Sequence, residues 1–210
     1  MAPMRERVEL IQTTMGPGRV TVCGDGDSLL AIGHGAGGQS WSKDILASRD
    51  AALERGWVVA LVDQPWRVAG RKVADRPPVL DDAWVPIVES LRTTNGARRL
   101  VVAGRSAGAR VACRTSSRLG ADAVLCLAFP LHLPGRPAAS RIDELRLPID
   151  AGLPVRVVQG ERDPFGGPDE VRAGITDPSV VVAVPGTHSI SATARVREVV
   201  STWLASLPGE

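Results

Sequence analysis

The 210-residue chain reads as an α/β protein: a mostly parallel β-sheet with helices on both of its faces. Short apolar runs rich in Val, Leu and Ala recur along it without polar alternation, the pattern of strands covered on both sides. Longer amphipathic stretches fall between them, so strand and helix signals take turns in order. One strand signal ends in Gly104-Arg105-Ser106-Ala107-Gly108 and passes straight into a helical stretch, which is the pattern of a nucleophile elbow.

The chain opens with an edge-strand signal at 8–12, followed by strands at 20–23 and 29–32. The first helix, 42–55, places Ile45, Leu46 and Leu53 among alanines and stops at Gly56. After a strand at 57–62, the polar, basic stretch 70–79 contains prolines and reads as a surface loop. The second helix, 81–94, follows Pro77-Pro78 and ends at Asn95-Gly96. A strand at 100–103, a helix at 107–119 stopped by Gly120, and a strand at 123–128 come next. Stretch 130–150 is proline-rich, with one short helix near 142–145, and is too short for a separate lid domain. Strands at 155–159 and 180–184 and a helix at 192–206 complete the alternation. No internal repeat or low-complexity segment interrupts it.

Residues 1–210 are expected to form a single domain, long enough to bury a large core. A net charge of +2, with arginines scattered and tyrosine absent, excludes a nucleic-acid partner read from a basic stripe or stacking platform. Cys23, Cys113 and Cys126 have no metal-like spacing. Their odd number, without a secretory signal, points to a reducing, cytoplasmic location. No apolar run is long enough to span a bilayer, so no membrane partner is expected. The composition leaves the oligomeric state open.

Ser106 is the candidate nucleophile; the plainer reading is a helix N-cap after a strand. Asp163 lies in Gln159-Gly160-Glu161-Arg162-Asp163-Pro164-Phe165-Gly166, just past a buried strand. There an acid can fix one imidazole nitrogen and leave the other free to take a proton. Glu161 and Asp169 are rival acids on the same loop, and a turn before Pro164 is the plainer role. His188 is the only histidine beyond both Ser106 and Asp163. The order Ser, Asp, His is that of a triad on this kind of sheet.

His34-Gly35-Ala36-Gly37-Gly38 follows the strand at 29–32. Its bare backbone suits an oxyanion hole made by the N–H of Ala107 with that of Ala36 or Gly37. With Gly33 before it, the run Gly33-His34-Gly35-Ala36-Gly37-Gly38 matches G-x-G-x-x-G, with Asp63 ending the next strand, so a dinucleotide-binding protein is a competing reading. Against it, the following helix pattern starts only near Ser42. His34, Arg105, His132, Trp41 and Trp66 are candidates to line a pocket. The plainer roles are loop bracing for the histidines, an ion pair for Arg105 and core packing for the tryptophans.

These pieces, with Phe129-Pro130-Leu131-His132 and Gly186-Thr187-His188-Ser189, resemble the α/β-hydrolase superfamily. The resemblance is greatest to its lidless, dienelactone-hydrolase-like branch, which includes the testis-expressed-protein-30-like proteins, and covers most of the chain from about residue 29. It implies an α/β-hydrolase fold with a mostly parallel sheet of about seven or eight strands and no large lid domain. It also implies a triad at Ser106, Asp163 and His188 and no need of a cofactor or metal. The expected activity is that of a serine hydrolase on a carboxylic ester, with a thioester or small amide as variants. The substrate is then a small molecule. The alternative is an interaction module of the same fold whose triad is unused.

Overall fold

The computed structural model describes residues 6–37 and 40–208. Eight strands form one sheet: β1 (Glu6–Thr13), β2 (Gly16–Cys23), β3 (Ser28–Gly33), β4 (Val58–Asp63), β5 (Arg99–Arg105), β6 (Ala123–Leu127), β7 (Val155–Gly160) and β8 (Val181–Val184). Their spatial order is β1-β2-β4-β3-β5-β6-β7-β8. β1 and β2 make an antiparallel hairpin, β2 pairs antiparallel with β4, and every other pairing is parallel.

Alternate residues of the buried strands feed two cores. Leu30, Ile32, Val59, Leu61, Val101 and Ala103 point to one face, where α1 (Lys43–Glu54) and α7 (Thr193–Ala205) pack side by side. Leu29, Ala31, Ala60, Val62, Leu100 and Val102 point to the other. That face is covered by α3 (Pro77–Thr94), α4 (Ala107–Thr115) and α5 (Ile142–Asp150). Both faces are dry, which is why the strand signals lack polar alternation. No separate lid domain interrupts the connection between β6 and β7, where α5 packs against α4.

The element boundaries differ from the sequence reading in instructive places. α3 starts at Pro77, inside the stretch read as loop, because a proline in the first helical turn forfeits an N–H that has no partner anyway. It continues through Pro86, held by the buried Ile87, Val88 and Leu91. α4 ends at Thr115, four residues before the predicted stop at Leu119. α5 runs on past the predicted short helix and through Pro148 to Asp150. α2 (Pro65–Val68) and α6 (Pro168–Ala173), each opened by proline, were not anticipated.

The C-terminal ends of β3, β5, β7 and β8 lead into the segments carrying residues 34–37, Ser106, Asp163 and His188. The turn after β5 is set by three backbones in near contact. A Cβ on Gly104 would lie 2.2 Å from the Gly108 carbonyl carbon, and one on Gly108 would lie 2.5 Å from the Gly33 carbonyl oxygen. These obstacles are main chain and cannot swing away. Gly104→Ala and Gly108→Ala are each expected to destabilise the protein by about 3 kcal/mol or more, read as a lower urea midpoint. Gly37→Ala, where a Cβ meets nothing within 4 Å, is expected to leave the midpoint within about 0.5 kcal/mol of the parent.

Candidate active site

Ser106 sits between the last residue of β5 and the first of α4 with φ 53° and ψ −114°. Left-handed backbone is costly for a residue with a side chain, by about 1–3 kcal/mol. It is tied down by Ser106 N–H donating to the Leu127 carbonyl at 2.9 Å. The hydroxyl makes no capping bond to α4, so the N-cap reading fails. It lies instead 2.9 Å from Nε2 of His188.

Nδ1 of His188 is 2.8 Å from Oδ2 of Asp163. A carboxylate accepts, so Nδ1 carries the hydrogen, and Nε2 is left to accept from the Ser106 hydroxyl. The Asp163 side chain is fully buried, and its lone pairs are well used. Oδ1 accepts from Phe165 N–H at 2.9 Å, and Oδ2 also accepts from the Gln159 amide at 3.1 Å. The rivals drop out: Glu161 points to solvent and Asp169 pairs with Arg172.

Gln159 and Phe165 are parts of the site that the sequence reading quoted but gave no role. Gln159, buried at the end of β7, accepts from Phe129 N–H and donates to the carbonyls of Phe129 and Gly166. It thereby locks the loop after β6 to the loop that carries Asp163. The Phe165 ring lies over His188, with centroids 4.2 Å apart and planes 32° apart. Asp44, which no sequence signal marked, pairs with Arg105 at 3.3 Å.

Ser106, His188, Phe165, Trp41, Ala36 and Gly37 line a cavity of about 710 Å³. Ala107 opens α4, so its N–H belongs to the first turn, where helix donors lack partners within the helix. Arg105 also lines the cavity, already engaged by Asp44 and by the His188 carbonyl. Trp66 does not line it: it is 2% exposed and packs edge-on against His34. His34 donates from Nδ1 to the Gly35 carbonyl at 2.7 Å and accepts at Nε2 from Gln64 N–H at 3.2 Å. Burial pushes its pKa down, which keeps the ring neutral for that pair of bonds. It braces the loop and does not line the cavity, so the plainer reading holds over the pocket-lining one.

The dinucleotide reading loses both its supports. α1 starts at Lys43, so among the described residues no helix N-terminus opens inside the fingerprint. Asp63 is buried and held by Nε and Nη2 of Arg19 at 3.0 and 2.6 Å.

His132 also lies away from the cavity, as a brace. Nδ1 donates to the Leu133 carbonyl at 2.9 Å and Nε2 to Glu170 at 3.1 Å. The Leu133 carbonyl first, and then Glu170, raise its pKa above the usual histidine value. A raised folded-state pKa means that the contribution of His132 is fully present below its unfolded pKa of about 6.5. It is lost as pH rises through the folded value. The midpoint difference between the parent and His132→Gln in urea is therefore expected to be larger at pH 5.5 than at pH 8.5.

Among the described residues no helix is long and apolar enough to cross a membrane. Comparison with curated protein sequences gives no match. Solved structures with the same fold include XC6422 from Xanthomonas campestris, described as an α/β serine hydrolase without a lid. It shares 20% identity over 100% of this chain and 99% of its own, with a TM-score of 0.76. An α/β serine hydrolase homologue from Coxiella burnetii shares 17% identity over 96% of this chain and 99% of its own, with a TM-score of 0.77. Dienelactone hydrolase from Anabaena variabilis shares 15% identity over 97% of this chain and 98% of its own, with a TM-score of 0.74. The family model described as an alpha/beta hydrolase domain matches residues 26–202, and the chain belongs to that family.

Proposed function

We propose that the protein is a serine hydrolase that cleaves a small carboxylic ester through an acyl-enzyme on Ser106. The observation that carries the reading is the unbroken hydrogen-bonded chain Asp163–His188–Ser106 opening on a cavity. The esterase and dienelactone hydrolase neighbours support the same class. The quoted motifs support a place among lidless, testis-expressed-protein-30-like members. The cysteine pattern supports a cytoplasmic setting.

In the first half-reaction His188 Nε2 takes the Ser106 proton as the oxygen attacks the ester carbonyl. Asp163 holds the Nδ1–H tautomer and stabilises the imidazolium. The N–H groups of Ala107 and of Ala36 or Gly37 receive the oxyanion, with Phe165 holding the imidazole plane. The imidazolium returns its proton to the departing alkoxide, which leaves as alcohol. Water then attacks the acyl-enzyme, with His188 again as base, and releases acid and Ser106. A thioester or small amide would follow the same steps with a thiolate or amine leaving.

A fluorophosphonate probe is expected to label the parent protein on Ser106 and to leave Ser106→Ala unlabelled; label retained by the variant would sink the assignment. Asp163→Asn keeps the shape but can donate to Nδ1, favouring the wrong tautomer, and is expected to lower kcat by about 10⁴-fold. With no lid to cover a long acyl chain, p-nitrophenyl acetate and butyrate are expected to exceed the palmitate ester in kcat/KM. An optimum at palmitate would contradict the open cleft.

A further inference from the structure

Arg105 and Asp44 form an ion pair in the cavity wall, with side chains 12% and 1% exposed. Such a pair is a poor way to stabilise a fold, because desolvating both charges offsets their attraction. Its geometry points elsewhere. The guanidinium stands 3.3 Å from Asp44, without a hydrogen bond between Nε and Oδ2. Its short bond runs from Nη2 to the main-chain carbonyl of His188 at 2.6 Å. Asp44 holds its own place through Ser42 and the N–H of Ile45. Space for the guanidinium is kept by Gly35, where a Cβ would come within 3.1 Å of Nη1.

Resting on the serine-hydrolase reading, we propose that Arg105, held by Asp44, is a positioning residue that fixes the main chain of His188, and through it the imidazole, relative to Ser106. Arg105 is the chain neighbour of Ser106. Asp44 is the second residue of α1. One guanidinium, carried by the chain neighbour of Ser106, thus links α1 to the segment that carries His188. The tether matters because His188 lies midway along the connection between β8 and α7, where Pro185, Thr187, Ser189 and Ser191 are exposed. A charge-assisted bond to that carbonyl is about twice as strong as a neutral one. A displacement of about 1 Å in such a group costs on the order of 100-fold in rate.

The test compares p-nitrophenyl acetate hydrolysis and thermal melting of the full-length parent with Arg105→Gln, Asp44→Asn, the double variant and Arg105→Lys. Each charge-removing single variant leaves a buried charge unpaired and is expected to lower Tm by about 5–10 °C. Arg105→Gln is expected to lower kcat by about 10- to 100-fold with KM within about twofold of the parent. The double variant removes the stranded charge, so Tm recovers while kcat stays low. Arg105→Lys, still able to donate to the carbonyl, regains part of kcat. Recovery of kcat together with Tm in the double variant would mean a structural ion pair only and overturn the proposal. So would an Arg105→Gln protein with parental kcat. A parent that neither turns over ester nor takes the fluorophosphonate label would overturn the hydrolase reading, and the tether with it.

Discussion

The site depends on one steric constraint: β5, α4 and β3 meet with no side chain between them. The gaps a methyl group would have to enter at Gly104 and Gly108 are filled by main-chain atoms. That crowding forces the chain to reverse within one residue, and Ser106 takes the left-handed conformation that results. The strain is offset by the Leu127 bond and by the packing of α4 on the sheet. A serine within a relaxed strand would point into one of the two buried faces of the sheet, whereas this one sits past the C-terminal end of β5 and lines the cavity. A second close approach repeats the device: a Cβ on Gly160 would lie 2.3 Å from the Thr187 carbonyl. There the strand that leads to Asp163 touches the loop that carries His188.

What the sequence revealed divides along physical lines. Strands β3 to β8 were legible because each holds a run of apolar residues that is mostly buried. The first half of β2 was not, since Gly16-Pro17-Gly18 looks like a turn. Pro17 is tolerated because it pairs only with Gln12 of β1; the ladder to β4 begins at Arg19, so its missing N–H faces no strand. Prolines misled twice more, at Pro77 and at Pro148, by looking like breaks where packing keeps a helix going. The three side chains that meet in the Asp163–His188–Ser106 hydrogen-bonded chain were legible from their order and from their places after strands. The pocket walls were not. Trp66 and His132 follow strands just as Trp41 does, but side-chain direction there is decided by tertiary neighbours. Asp44 lies in an ordinary amphipathic pattern, and its partner is far away in sequence.

Two buried carboxylates at the site are handled in opposite ways. Asp163 accepts hydrogen bonds from the Phe165 N–H, the Gln159 amide and the His188 ring. That arrangement leaves the imidazolium as the natural counter-ion once a proton moves. Asp44 faces a permanent guanidinium. Were the two environments exchanged, an arginine beside Asp163 would compete with the imidazole for the carboxylate. On the proposed mechanism, the neutral donors around Asp163 serve the chemistry as well as the fold.

The sheet order explains why an uninvolved strand is so closely controlled. β6 lies between β5, which leads to Ser106, and β7, which leads to Asp163. An ordinary extension of β6 would run between Ser106 and Asp163. The chain instead leaves the sheet at Ala128, with φ 47°, the other non-glycine residue with left-handed backbone among those described. The Gln159 amide grips both the N–H and the carbonyl of Phe129, the next residue, and the same amide nitrogen reaches Asp163. A neighbouring side chain thus redirects β6 and orients the acid with one amide group. Glutamate at this position could accept from Phe129 but could not donate to Asp163, and leucine would strand the Phe129 N–H. The amide is the side chain that meets both demands.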